Sequence, residues 1–283
     1  MRLVVQGSAI RHAHLAHIHQ LSATSVQFVQ TGAHAYYLAN QTQASPAVQG
    51  FCAEQHIDCS YLPDQQVLAK FGLCVMDMDS TLINIECVDE IADAAGRKAE
   101  VAAITEAAMR VEITDYKDSL RKRVALLKGV TVAHMEEVLN NRLQLNPGAE
   151  KLVKACQAAG MKVLLVSGGF TFFTDHVRDR LGINWTRSNV LEVVNGELTG
   201  RMVDQDWGDI CDGEEKRKML LQTCAQMGIE ASQAIAMGDG ANDLPMMGVA
   251  GLSVAYHAKP KVREQAMVAI EEGGLDRLLE VFK

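Results

Sequence analysis

The sequence predicts an α/β fold: a Rossmann-like, doubly wound parallel sheet with an inserted helical cap, preceded by a small α+β unit. Three observations carry this. From residue 71 onward, apolar runs of strand length alternate with longer segments of helical period. Each run ends in glycine, small polar or acidic residues, as parallel strands do where they hand over to helices at a ligand-binding edge. Residues 1–68 have a different texture, with short segments in the order βαββαβ.

Along the chain, LVVQ reads as a strand, RHAHLAHIHQL as a helix, SVQFVQT and AHAYYLA as strands, SPAVQGFCAEQ as a helix and IDCSYL as a strand. This split βαββαβ order is ferredoxin-like. It is similar in topology to the small amino-acid-sensing ACT domains, although the Gly-Pro signature of their first strand-to-helix turn is missing. Pro63-Asp64-Gln65-Gln66 marks the linker, so 1–68 is expected to be a regulatory or interaction domain and 69–283 the catalytic core. Central strands are expected at 73–76, 163–166, 234–237 and 252–254. A crossover between parallel strands needs only about a dozen residues. The stretch between Asp79 and Ser167 is far longer, and VDEIADAAG, AEVAAITEAAM, YKDSLRKRVALLKG and TVAHMEEVLNNRL all read helical. Residues from about 86 to 140 are therefore expected to form a cap over the carboxyl edge of the sheet, with Asn146-Pro147-Gly148 marking the return to the core.

Composition narrows the function classes. A chain of 283 residues with 48% apolar and 22% charged residues buries a sizeable core. Its net charge of −8 and lack of a long basic run argue against nucleic acid as a partner. No apolar run approaches the ~18 residues of a membrane span, and the apolar stretch in MRLVVQGSAIRH is too short for a secretion signal, so a cytoplasmic location is expected. Seven cysteines without a CxxC pair read as buried, reduced thiols, and the 13 methionines as core filler. His12, His14, His17 and His19 do not form a metal cluster, because at 3.6 residues per turn His14 and His17 take one face and His12 and His19 another. An anionic substrate would be repelled by the overall field, so local cations must attract it.

The chemistry concentrates at strand ends. VMDMDST places Asp77 and Asp79 after an apolar run, where two carboxylates repel unless a cation or shared proton relieves them. GDGAND, with Asp239 and Asp243, follows IAM, and between these lie VLLVSGG and the segment around Lys216. An acidic pair could merely cap a helix, Ser167-Gly168-Gly169 alone could be a turn, and Lys216, flanked by Arg217 and Lys218, could belong to a solvated face.

Taken in order, Asp77-Met78-Asp79-Ser80-Thr81, Ser167-Gly168-Gly169, Lys216 and Gly238-Asp239-Gly240-Ala241-Asn242-Asp243 closely resemble the four motifs of the haloacid dehalogenase-type phosphatases. The resemblance implies that Asp77 is the nucleophile and that Asp79 is general acid and base, its backbone carbonyl also a metal ligand. Mg²⁺ would be held by Asp77, Asp79, Asp239 and Asp243, the last orienting a metal-bound water or pairing with Lys216. Ser167, Lys216 and the amides near Gly168 would hold phosphoryl oxygens, with Asn242 beside them. The cap resembles the phosphoserine-phosphatase branch of that superfamily: Arg123, in SLRKRVALLKG, falls at its carboxylate-binding position, Glu86 at its ammonium position, and Met109 and Tyr116 at its pocket-closing positions. MRVEITDY is one residue longer than the usual spacing there, and Tyr stands where Phe is common. Phosphoserine, a small molecule, is the implied substrate, with pairing of two copies through the N-terminal unit a further expectation. The other readings are a phosphatase of this superfamily acting on another small phosphomonoester such as phosphohomoserine, a phosphotransferase moving phosphate from phosphoserine to homoserine, a receiver domain and an inactive phospho-ligand sensor. Receivers lack the second aspartate and the cap, and no catalytic group is missing here.

Overall fold

The computed structural model describes residues 1–64, 66–109 and 115–282, with only the backbone of Ala102 and of 105–109. The N-terminal unit runs β1 (Arg2–Gln6), α1 (His12–Leu21), β2 (Val29–Gly32), β3 (Ala35–Leu38), α2 (Pro46–Glu54) and β4 (Asp58–Leu62). Its antiparallel sheet has the order β2-β3-β1-β4. Helix α2 starts where it does because the Ser45 side chain accepts the Val48 N–H and proline occupies the first turn. His14 and His17 both pack on Phe51, as their spacing predicts.

The larger sheet has seven strands in the order β11-β10-β9-β5-β6-β7-β8. These are β5 (Leu73–Met76), β6 (Lys162–Phe170), β7 (Trp185–Val194), β8 (Glu197–Val203), β9 (Ala234–Gly238), β10 (Leu252–Tyr256) and β11 (Val268–Ile270). All neighbours are parallel except β7 and β8, an antiparallel hairpin. The sequence-based expectation of four strands thus omitted β7, β8 and β11. Alternation sorts each strand between two layers: Leu73 and Val75 face one core with Leu164, Val166, Ala234 and Ala236, while Cys74 and Met76 face another with Val163, Leu165, Ile235 and Met237. Burial of each large aliphatic side chain contributes about 1.5–3 kcal/mol, so strand register is tightly specified.

Helices cover both faces: α7 (Ala149–Ala158) and α8 (Thr171–Leu181) on one, α9 (Gly213–Met227), α10 (Leu244–Met247) and α11 (Pro260–Gln265) on the other. Between β5 and α7 lie α3 (Cys87–Ala94), α4 (Lys98–Met109), α5 (Tyr116–Ala125) and α6 (Val132–Asn141). This helical insertion is stitched to the hairpin by backbone bonds: Gly129 N–H to Leu198 O at 2.8 Å, Leu198 N–H to Val130 O at 2.8 Å and Val132 N–H to Gly196 O at 3.0 Å. Ion pairs of Lys117 and Arg121 with Asp209 join α5 to the loop before α9. Among the described residues, no helix is long and apolar enough to cross a membrane.

The two sheets are joined by polar contacts. Arg2, 1% exposed, donates from Nη2 to the carbonyls of Gln66 at 2.9 Å and Val281 at 2.6 Å. Asp58 accepts the backbone N–H groups of Glu271 and Glu272 at 3.0 Å. Burial outweighs those donors and pushes its carboxyl up to about 6. A folded pKa above the unfolded value of about 3.9 means that stability is greatest at low pH and is lost as pH rises through about 6. Chemical-denaturation midpoints measured from pH 4 to 7 should show this slope, and Asp58→Asn should flatten it; an unchanged slope would rule out Asp58 as its source.

Candidate functional site

The sheet's carboxyl edge assembles the site. β5 leads into Asp77, whose N–H continues the ladder to Met237 O at 2.9 Å. The chain then leaves the sheet sharply. Asp79 is extended and Ser80 takes φ +57°, a left-handed conformation that costs a non-glycine residue of order 1 kcal/mol. The turn is held by Ser80 N–H to Ile85 O at 3.1 Å and by Asn146 Nδ2, which donates to the carbonyls of Thr81 at 2.8 Å and Ile83 at 3.0 Å.

Lys216 lies at the centre. Helix α9, capped where Asp212 accepts the Glu215 N–H, points this lysine inward, whereas Arg217 pairs with Glu214 and Lys218 is exposed. Lys216 is fully buried, its Nζ 2.8 Å from Asp77 Oδ1 and 2.7 Å from Asp243 Oδ1. Burial alone would lower its pKa, but Asp243 and Asp77 raise it well above the usual lysine range, so it is a fixed cation. Asp77 Oδ1 also accepts the Met78 N–H at 2.7 Å, which leaves Oδ2 without a protein donor among the described residues. Asp243 further accepts the Gly240 N–H at 3.0 Å. Gly238 is required here because a Cβ on it would lie 2.3 Å from the Asp243 carboxylate.

Acidic oxygens of Asp77, Asp239 and Asp243 lie within 4.8 Å of one another. Burial first, and then the Asp243 charge, push the Asp77 carboxyl well up, and the same causes push Asp239 up to about 6. Three carboxylates around one ammonium leave uncompensated negative charge. A hard divalent cation with oxygen ligands fits this donor set, and Asp77, Asp239 and Asp243 are the side chains able to hold it. The Asp79 carboxylate lies outside the triad. Its Oδ2 accepts the Cys87 N–H at 2.8 Å and its Oδ1 the Cys87 thiol at 3.2 Å. Burial, then the nearby Glu86 charge, raise it to about 7.

Ser167 is fully buried at the end of β6, where its Oγ accepts the Gly169 N–H at 2.9 Å. A Cβ on Gly169 would lie 3.0 Å from that Oγ and 3.2 Å from Asp79 Oδ1, which places Asp79 and Ser167 on either side of one small space. Tyr116 reaches down from the first turn of α5 so closely that a Cβ on Gly168 would sit 1.8 Å from its hydroxyl. That contact closes the site from above and explains glycine at 168. Glu86, the N-cap residue of α3, accepts the Ser80 hydroxyl at 2.6 Å and is near enough to raise both Asp79 and Asp239. Arg123 lies about two turns along α5 from Tyr116 and on the same face, its Nε buried without a partner. Asn242 lies in the turn against Gly240, with no bond to the acidic cluster among the described residues. The side chain of Met109 lies outside the described residues.

Sequence reasoning missed three contributors. Thr81 donates its hydroxyl to Asp239 at 3.3 Å, Cys87 holds both oxygens of Asp79, and Asn146 braces the turn. Asn146 had a signal, because its side chain precedes the Pro147 break that returns the chain to the core. Cys87 had none.

A parallel sheet that gathers a half-engaged aspartate, a second carboxyl poised near neutrality, a buried lysine, a serine and glycine amides defines a hydrolase built to handle phosphoryl groups. The profile described as haloacid dehalogenase-like hydrolase matches residues 74–248, and the chain belongs to that family. It is 80% identical over 216 residues to a phosphoserine phosphatase of Polaromonas sp. strain JS666, a match covering 76% of this chain and 92% of that protein. The unliganded crystal structure of a probable phosphoserine phosphatase from Vibrio cholerae superposes with TM-score 0.82 at 34% identity, covering 99% of this chain and 85% of that one. A substrate-bound phosphoserine phosphatase complex gives TM-score 0.68 at 35% identity, over 75% of this chain and 99% of that one.

Proposed function

We propose that this chain is a Mg²⁺-dependent phosphoserine phosphatase, hydrolysing O-phosphoserine to serine and phosphate as a last step of serine formation. The observation that carries the reading is Lys216, buried between Asp77 and Asp243 at the floor of a site that Tyr116 closes from the cap. Asp77, with Oδ1 held by Lys216 and the Met78 amide, presents Oδ2 to phosphorus. An Asp77 O–P bond forms as the P–O bond to serine breaks, and Asp79, raised to about 7, gives its proton to the departing serine oxygen. Asp79 then takes a proton from the water that cleaves the aspartyl-phosphate, which frees phosphate and restores Asp77. Ser167, Lys216 and the Gly168 amide hold phosphoryl oxygens, with Asn242 at the rim. Asp77, Asp239 and Asp243, with the Asp79 carbonyl, would hold Mg²⁺, which would supply positive charge to the phosphoryl group.

Substrate choice belongs to the cap. Arg123, with a buried and unpartnered Nε, offers a carboxylate the donor that it lacks, and Glu86 faces the ammonium. Arg123→Ala should raise KM for phosphoserine on the order of a hundredfold, the loss of a charge-assisted contact of about 3 kcal/mol, while p-nitrophenyl phosphate, which has no carboxylate, changes little. Equal losses on both would remove Arg123 from recognition. Met109 and Tyr116 complete the pocket walls in this reading.

The wild-type assay is a panel of phosphomonoesters, including phosphohomoserine, with Mg²⁺ and with chelator. Phosphoserine should give the highest kcat/KM, chelation should abolish turnover and Mg²⁺ should restore it. Preference for another ester, or turnover in chelator, would refute the proposal. The same reading makes residues 1–68 an interaction or regulatory domain and 69–283 the catalytic core, with the cap at about 86–140. Pairing of two copies through the N-terminal sheet, whose edge strand β2 leaves Val29 exposed, would appear in light scattering as twice the chain mass. A cytoplasmic setting fits seven free cysteines, six of them buried.

A further inference from the structure

We propose that Asn189 is a positioning residue that sets the phosphoryl-holding edge of the site, an inference that rests on the phosphatase reading above. Strands β6 and β7 pair through Val166↔Arg187 and resume at Phe170↔Asn189, so four steps on β6 face two on β7. The surplus is a bulge at 167–169, the segment carrying Ser167, Gly168 and Gly169. A bulge takes its carbonyls off the ladder, and a buried carbonyl without a donor is costly. Asn189, 1% exposed, supplies that donor: its Nδ2 gives a hydrogen bond to Gly168 O at 2.8 Å. Its Oδ1 accepts the Cys211 N–H at 2.8 Å.

Both ends matter for phosphate. In a planar trans peptide the C=O and the following N–H point in opposite directions. With Gly168 O anchored on Asn189, the Gly169 N–H is turned the other way, where it donates to Ser167 Oγ at 2.9 Å. A serine oxygen that accepts on one side keeps its own O–H to donate on another, toward a phosphoryl oxygen. At the other end, Cys211 immediately precedes Asp212, the cap of the helix that carries Lys216. One amide therefore ties together the two segments that hold phosphoryl oxygens. The neighbouring β7 side chains do something else: Arg187 pairs with Glu215 and Ser188 with Thr174, and neither bonds the 168–169 peptide.

The two products separate this role from a general packing role, because phosphate reads the edge set by Asn189 and serine reads the cap residues Glu86 and Arg123. Product-inhibition constants for inorganic phosphate and for L-serine would be measured on Asn189→Leu, which fills similar volume, and on Asn189→Ala, with thermal melting as a check. The inhibition constant for phosphate should rise about tenfold, the equivalent of one hydrogen bond to a charged group, while that for serine stays within twofold. Equal weakening of both, no change in phosphate, or loss of a cooperative melt in both variants would overturn the proposal. If serine fails to inhibit the wild type, the substrate assignment falls instead. Asn189 is then judged on phosphate inhibition of p-nitrophenyl phosphate turnover in the variants that melt cooperatively: a tenfold rise supports it and an unchanged constant overturns it.

Discussion

Asp77→Asn is expected to lower kcat on phosphoserine by at least about four orders of magnitude, the scale on which loss of a nucleophile abolishes covalent catalysis. The amide has the shape of the carboxylate, and its oxygen can still accept from the Met78 N–H and Lys216, so the pocket keeps its geometry. What it lacks is an electron pair able to displace an alkoxide. The folded state should not suffer. Lys216 keeps its pair with Asp243 in the variant, and the repulsion between the Asp77 and Asp243 charges is removed. In chelator, the variant should melt no lower than the wild type. Single-turnover assays with trapping of the phosphorylated chain are the measurement. Near-native turnover, or a phosphoryl group trapped on another residue, would show that Asp77 is not the nucleophile.

Lys216→Met should cost both activity and stability. The thioether matches the lysine stem in length, but it leaves the Asp77 and Asp243 carboxylates facing each other with nothing between them, where Nζ had stood 2.8 Å and 2.7 Å away. Removing one partner of a buried ion pair typically costs about 3–5 kcal/mol, which in a protein of this size lowers the melting temperature on the order of 10 °C. Turnover should fall about a thousandfold, because a fixed positive charge on the transferring group is lost. The pH dependence carries a sign. Without the ammonium, folding favours a protonated carboxylate, so the variant's stability deficit should shrink as pH falls from 8 toward 5. A melting temperature equal to wild type at pH 8 would mean that Lys216 does not hold the pair together.

Much of this site could be read along the chain because each motif ends a strand. Apolar residues at 73–76 and 234–237 announce their own burial, and the acids that follow can only emerge at the sheet's carboxyl edge. The cap was legible from length alone, since no crossover needs so many helical residues. Choosing Lys216 over Arg217 and Lys218 was a different matter: adjacent helical positions differ by about 100° in direction, and which one points inward depends on how α9 packs. The hairpin of β7 and β8 went unread although VLEVVNGELTG alternates around an Asn-Gly turn, a pattern that marks such hairpins.

By itself the sequence named the groups that the proposed chemistry calls on, the aspartates at 77, 79, 239 and 243, the serine and the lysine, and set the alternation that fixes which face of each strand is buried. Tertiary structure decided which of them meet and in what state. The first residue of the first cap helix, Cys87, holds one oxygen of Asp79 through its N–H and the other through its thiol, a mismatch between β6 and β7 calls for the Asn189 amide, and a contact across the closed cap confines position 168 to glycine. The physical reason is range. Backbone alternation and burial act over a few neighbouring residues and leave a periodic trace, whereas hydrogen bonds and charge coupling depend on distances of a few ångströms between residues remote in the chain.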